Sequence, residues 1–142
     1  MTQALTRVLV DTDVFSAPLD PHRRLLARQQ APRLAGRIVC VAAQTVAELR
    51  FGAIVAGWGP RRTDEVERHV ARALVLWPDD DVVWAQARLR AACRAAGHAL
   101  AHKVHTADLW TAATAVTYGL PLLSGDGIFV GVPGLTVDPS VP

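Results

Sequence analysis

With 142 residues, a formal net charge of +2, 51% hydrophobic and 20% charged residues, the chain has the balance of a globular protein and not of a disordered or fibrous one. No apolar run approaches the ~18 residues that a membrane span needs, which excludes a helical membrane protein. Residues 1–6 carry neither the basic start nor the apolar core of a secretory leader, and only two cysteines occur, Cys40 and Cys93. A single domain over residues 1–142, a reduced cytoplasmic setting and no membrane partner are the expectations. The cations are fourteen arginines and one lysine, a composition suited to bidentate phosphate contacts but equally explained by a GC-rich genome.

In chain order, Val8-Leu9-Val10 is a short unbroken apolar run of the kind that forms a parallel strand buried on both faces, and it delivers Asp11 and Asp13 at its end. Asp20-Pro21 opens a helix over residues 21–30, with Ala31-Pro32 as its stop. Residues 38–42 form a second strand, and residues 44–56 a helix with Val46, Leu49 and Ala53 inward and Glu48 in or near the first turn, off that stripe. Residues 57–62 read as a loop. A helix over residues 64–74 turns Val66, Val70, Ala73 and Leu74 inward and Arg68 and Arg72 outward, and Val75-Leu76-Trp77 is the third strand. Asp79-Asp80-Asp81 is an acidic cluster best explained as capping and dipole compensation for a helix over residues 82–96. That helix presents Trp84, Ala87, Ala91, Ala92 and Ala95 as a packing face and ends at Gly97. Thr106 caps a helix that runs to Tyr118, with Leu109, Ala112, Ala113 and Val116 inward, until Gly119 and Pro121 stop it. Residues 121–124 are the fourth strand, followed at once by Asp126.

Strands alternating with helices imply βαβ units, a parallel sheet and right-handed crossovers. Asp11 and Asp126 then lie just past strand carboxyl ends, while Glu48 and Asp108 lie at the N-termini of helices antiparallel to the strands. All four, with Asp13 as a fifth, reach the one crevice where open α/β sheets bind ligands. Gathered carboxylates repel one another unless a cation compensates. Mg²⁺, with Mn²⁺ as a substitute, is the simplest such cation, because both are hard ions that choose carboxylate oxygens and retain waters. Such a site orients and deprotonates a water for in-line attack on a phosphodiester.

The segments Val10-Asp11-Thr12-Asp13-Val14, Thr45-Val46-Ala47-Glu48-Leu49-Arg50-Phe51-Gly52, Asp108-Leu109-Trp110-Thr111-Ala112-Ala113 and Leu123-Ser124-Gly125-Asp126-Gly127-Ile128-Phe129 with Val132-Pro133-Gly134-Leu135 resemble the PIN-domain ribonucleases. Among these, the chain is most similar to the VapC toxins of bacterial VapBC toxin–antitoxin modules. The resemblance spans nearly the whole chain, in order. It implies a three-layer α/β/α fold with a central, mostly parallel sheet, and a metal-dependent endoribonuclease acting as a toxin. It also implies an acidic quartet of Asp11, Glu48, Asp108 and Asp126 as both catalytic residues and metal ligands, with Thr12 and Ser124 as neighbouring hydroxyls. The partners it implies are an RNA substrate such as tRNA or rRNA and a cognate VapB-like antitoxin, in a homodimer or a toxin–antitoxin hetero-oligomer. In two places the sequence departs from the pattern: Asp13 stands where such toxins often carry Asn, and Ile128 where an acid often precedes the Phe.

Other readings compete for the same residues. Asp11-Thr12-Asp13 alone is a plausible helix cap. Asp-x-Asp after a first strand also resembles haloacid-dehalogenase-like phosphatases, but there a Ser or Thr precedes a Lys, and here Lys103 precedes Ser124. His98, His102 and His105 have the spacing of one helix face and suggest zinc, yet they follow the helix-stopping Gly97 with no cysteine partner, so a polar connecting loop is the preferred reading. Arg61, Arg62, Arg90 and Arg94 suit RNA phosphates or a solvated face equally. A catalytically silent PIN-like module that binds RNA or protein is the second functional class, and a small phosphatase the third.

Overall fold

In the computed structural model, which describes residues 5–138, the apolar run at the start becomes strand β1 (Thr6–Val10), with Val8, Leu9 and Val10 fully buried. Its backbone pairs in parallel with β2 (Arg37–Ala42) on one side, Val8 opposite Val39, and with β4 (Leu122–Leu123) on the other, Val10 opposite Leu123. The strand β3 (Leu74–Leu76) extends the sheet beyond β2, giving the order β3-β2-β1-β4 with every pairing parallel. Residues 1–4, on which most of the expectation about a secretory leader rests, fall outside the described residues.

Parallel strands need crossovers, and the crossovers cover both faces of the sheet. Successive strand residues point to opposite sides, so Leu9, Cys40 and Leu122 join one core cluster and Val8, Val10, Val41 and Leu123 the other. The first cluster is completed by helices α5 (Asp80–Ala96) and α6 (Thr106–Tyr118) through Leu89, Cys93, Leu109 and Ala113. The second is completed by the short helix α1 (Thr12–Ser16), α3 (Ala43–Val55) and α4 (Pro60–Ala71) through Val14, Phe15, Val46, Leu49, Val66 and Val70. This is the three-layer α/β/α arrangement that the family resemblance implied, built on the parallel sheet that the alternation of elements implied.

Several boundaries differ from the sequence reading. Helix α2 (Arg24–Leu34) starts later and passes through Pro32. Asp20 caps a separate 3-10 turn (Pro21–Arg23) through the His22 N–H, and the proline near the far end of α2 costs only the one backbone bond it cannot donate. The loop over 57–62 shrinks to three residues, because Pro60 occupies the first helical position of α4, where its missing N–H is harmless. Helix α4 ends at Ala71, so Leu74 opens β3, and Trp77 lies past the strand with 62% exposure. The largest revision is the phase of α5. Its buried face is Val82, Leu89 and Cys93, whereas Trp84 is 55% exposed and Ala87, Ala91 and Ala95 face outward. Val82 and Leu89 bury more apolar area than a row of alanines, and that difference sets the rotation of the helix. The acid run before it behaves as expected, with the Asp79 carboxylate accepting from the Val82 N–H at 3.0 Å. Gly97 and Gly119 close α5 and α6 at φ of 69° and 63°, a backbone region that glycine enters without strain. Thr106 does not cap α6 from outside: it is the first helical residue, and its hydroxyl donates back to the Lys103 carbonyl.

Candidate active site

Asp11 is the residue on which the carboxyl edge of the sheet converges. It follows the last residue of β1, and its own N–H donates to the Leu123 carbonyl, which continues the sheet's hydrogen bonding one residue past the strand. One carboxylate oxygen, Oδ1, accepts from the Val14 N–H at 2.9 Å and so caps α1. The other, Oδ2, accepts a short hydrogen bond from the Ser124 hydroxyl, which itself accepts from the Asp126 N–H at 3.0 Å. The helix-cap reading of Asp11 is therefore realised, and it coexists with a place at the sheet edge. Only 6% of Asp11 is exposed, and that burial pushes its carboxyl up to about 6. The two hydrogen bonds pull the other way, and the negative charges of Asp13 and Asp108 add to the rise.

Asp108 lies in the first turn of α6, half-buried, and is also raised, by burial first and then by the charges of Asp126 and Glu48. His105, three residues earlier, opposes this with Nδ1 at 3.5 Å from Oδ2. Glu48 lies on α3 within reach of the Gln44 amide, which donates to its Oε1 at 3.4 Å. Asp126 is exposed and accepts from the Ile128 N–H, closing a 3-10 turn (Gly127–Phe129). Asp108 is thus the common neighbour: its carboxyl senses Asp126 and Glu48, and Asp11 senses Asp108. Asp13, the fifth acid, is exposed and held by the Arg23 guanidinium at 3.0 Å. A cleft of about 350 Å³ beside these acids is lined by Thr12, Asp13, Glu48, Arg23, Trp58 and Arg62 among others.

Among the described residues, no three His, Cys, Asp or Glu side chains stand close enough together to enclose an ion unaided. The donor set nevertheless fits Mg²⁺ or Mn²⁺. It consists of hard oxygens, its two half-buried or buried members carry protons more tightly than isolated carboxyls, and Mg²⁺ ordinarily completes its shell with water and phosphate oxygens instead of an all-protein cage. The three histidines do not form a zinc site. His98 accepts the Leu100 N–H on Nδ1 and donates from Nε2 to the Val130 carbonyl, while His105 turns to Asp108, so the stretch is a structured polar connection.

Residues 8–135 match the PIN domain. The chain belongs to the PIN-domain family. Its fold is similar to that of VapBC2 from Rickettsia felis, solved bound to a DNA fragment from its promoter, with a TM-score of 0.77 and 14% identity over 94% of this chain and 98% of that one. FitAcB from Neisseria gonorrhoeae is similar at a TM-score of 0.69 and 27% identity, over 92% and 96% of the two chains. VapBC-5 from Mycobacterium tuberculosis is similar at 0.61 and 27%, over 93% and 97%. No curated protein sequence matches the chain. A PIN domain of this type implies a nuclease, which disposes of the small-phosphatase reading.

The resemblance named Thr12 and Ser124 as hydroxyls beside the acids of this PIN domain, and Ser124 does bond Asp11, but the partner of Thr12 was not foreseen. Thr45 is fully buried, and its hydroxyl meets that of Thr12 at 3.0 Å, tying the residue after Asp11 to the first turn of the helix that carries Glu48. The signal was the three-residue spacing of Thr45 and Glu48, but the partner comes from 33 residues away. Replacing Thr45 by Val keeps the shape and removes the bond. The expected loss is about 1 kcal/mol of unfolding free energy at unchanged m-value in urea. An unchanged midpoint in that titration would show that the Thr12–Thr45 link contributes nothing to the native state. The partners of two acids, His105 for Asp108 and Arg23 for Asp13, were likewise invisible as pairs.

Proposed function

We propose that this PIN domain is a divalent-metal-dependent endoribonuclease and the toxin of a toxin–antitoxin module, with Asp11, Glu48, Asp108 and Asp126 as catalytic and metal-holding residues. The observation that carries this reading is the arrangement of Asp11, Asp108, Asp126 and Glu48 at one sheet edge, where the charges of Asp126 and Glu48 raise the proton affinity of Asp108 and that of Asp108 raises the proton affinity of Asp11. A binding-only module gains nothing from mutually repelling acids. Asp11, held by both oxygens and excluded from water, has the fixed position of a principal ligand, while Glu48 and the exposed Asp126 each keep one carboxylate oxygen outside the hydrogen bonds from Gln44 and Ile128. When bound, the ion supplies a water of lowered pKa and neutralises charge on the phosphodiester. The chain's own part is to fix Asp11 through Val14 and Ser124, and to hold Asp108 against His105. The test is incubation of the purified protein with total RNA in Mg²⁺, Mn²⁺ or EDTA. Cleavage that persists in EDTA, or none in either metal, contradicts the proposal.

The partner would be a VapB-like antitoxin encoded beside the gene. Acids gathered around a partly hydrated cation attract a cationic side chain, and the Arg fork fits carboxylates best. An inhibitory tail would point an Arg or Lys toward Asp11 and Asp108, with apolar anchors on α2 and α3, where Leu25 on the first helix and Phe51 and Ile54 on the second are 70%, 68% and 78% exposed. Leu25→Asp and Asp108→Asn are each expected to weaken binding of the neighbouring gene product at least tenfold, and the parent complex to withstand moderate salt. Titration calorimetry gives the result. Parental affinity in both variants would place the antitoxin on another surface.

A further inference from the structure

On the far side of the sheet from α3, between the outward face of α5 and residues 97–102, lies an open cavity of about 690 Å³. Its walls include Ala87, Arg90, Ala91, Arg94, His98 and His102, and no carboxylate lines it. The proposed function uses none of these residues. Between Asp81 and Asp108 the sequence holds no acid at all while carrying Arg88, Arg90, Arg94 and Lys103.

Arg90 and Arg94 are one helical turn apart, a spacing at which like charges repel. Among the described residues neither forms an ion pair with an acid. The Nε of Arg90 donates to the Ala101 carbonyl at 3.2 Å, which steadies the side chain and leaves the two terminal nitrogens of its fork unused. Arg88, by contrast, lies over the Trp84 ring, 5.4 Å from its centroid, and does not line the cavity. The negative end of the α5 dipole accounts for Arg94 in the last turn but not for Arg90 or His102. His98, with both ring nitrogens engaged, is a wall and not a donor. Ala87 and Ala91 form a low floor, so a polymer can approach the helix closely. A site of paired, unneutralised guanidinium forks over a small-residue floor suits successive phosphates of a nucleic-acid strand.

We propose that this cavity binds the sugar–phosphate backbone of the RNA at a distance from the acids that cut it. The proposal rests on the endoribonuclease reading. The two places are joined through the chain: residues 98–102 wall the cavity, and three residues beyond His102 stands His105, the partner of Asp108. Those two Cα atoms are at most about 11 Å apart, since consecutive Cα atoms are separated by about 3.8 Å. One strand engaged at both places would be oriented along α5 before it meets the sheet edge.

The test measures binding, not cleavage. Fluorescence anisotropy of a labelled single-stranded RNA is followed in EDTA with the parent, with Arg90→Gln/Arg94→Gln, and with Arg68→Gln/Arg72→Gln in the last turn and C-cap of α4, which removes the same charge elsewhere. The cavity variant is expected to bind about tenfold more weakly at low salt, and its log K against log salt to be shallower by about 1, since each phosphate contact contributes about 0.7 for single strands. The α4 variant should match the parent. Arg94→Gln alone, which leaves the Arg90–Ala101 bond in place, should show about half the change in slope, and melting curves establish that each variant is folded. Equal losses in the cavity and α4 variants, or parental affinity and slope in the cavity variant, overturn the cavity proposal and leave the nuclease reading standing. Failure of the parent to bind RNA at any salt overturns both. Parental RNA binding together with lost binding of the neighbouring gene product would make the cavity a protein-docking surface and so overturn the proposal.

Discussion

Asp11→Asn is expected to reduce RNA cleavage by about a hundredfold or more while making the metal-free protein more stable at neutral pH. The loss of activity follows from removing a charged ligand, since the electrostatic work assigned to a bound metal is worth several kcal/mol of barrier. The gain in stability follows from the environment of Asp11. Its carboxyl is raised from 3.8 to about 6 because burial penalises its charge, so holding it ionised at pH 7 costs the native state about 3 kcal/mol, two pKa units at 1.36 each. Asparagine carries no such charge. Its Oδ1 can still accept from Val14 N–H, and its amide can donate to Ser124 Oγ, at the cost of the bond that the serine hydroxyl now donates. The net expected gain is therefore smaller, about 1–2 kcal/mol. Urea titrations of parent and variant in EDTA at pH 4, 5.5 and 7 give the result. A carboxyl whose folded pKa lies above its unfolded value stabilises the fold fully below the unfolded pKa and loses that contribution as pH rises through the folded one. The variant should therefore be slightly less stable than the parent at pH 4, where only the lost serine bond counts, and should overtake it as pH rises to about 6–7. An advantage independent of pH would mean that Asp11 titrates normally, and retained cleavage would remove it from the site.

Divalent metal should reverse that penalty and raise the melting temperature by about 8 °C. A ligand that binds only the native state at a hundred times its dissociation constant adds about 2.7 kcal/mol, and a domain of this size shifts by about 3 °C per kcal/mol. Melting curves in EDTA, Mg²⁺ and Mn²⁺ at pH 7 measure this for the parent, Glu48→Ala and Asp108→Asn. The shift should shrink in both variants and should fade below about pH 5, where Asp11 holds its proton and competes with the metal, with the raised proton affinity of Asp108 acting in the same direction. Identical midpoints in all three solutions would falsify the shared-metal site. A shift produced by zinc and abolished by His102→Ala would revive the histidine reading.

Much of this protein was legible in its residues alone, for reasons that are local. Val8-Leu9-Val10 is apolar without alternation because both faces of its strand are covered, and that pattern needs no knowledge of the covering helices. Asp79 before α5, and Gly97 and Gly119 after their helices, are punctuation whose physics acts within a few residues, whereas Pro60, which opens α4, was read as loop. The order of strands and helices likewise brought Asp11, Glu48, Asp108 and Asp126 to one edge, because a parallel sheet with short connections leaves no other place for those positions. What the residues did not reveal depended on partners distant in the chain. The rotation of α5, which turned Trp84 outward and Leu89 inward, was decided by the sheet face and α6 against which it packs, since its own alanines are compatible with either side. The Ser124 hydroxyl reaches Asp11 across 113 residues, Thr12 meets Thr45 across 33, and His98 closes on Val130 across 32. Those contacts decide that Asp11 is buried and hard to ionise, that Asp13 is spent on Arg23, and that two arginines of α5 face a cavity without a counter-charge. Residue type and spacing determine which groups arrive at an edge; burial and the groups met there, which only the tertiary fold supplies, determine the charge each one carries.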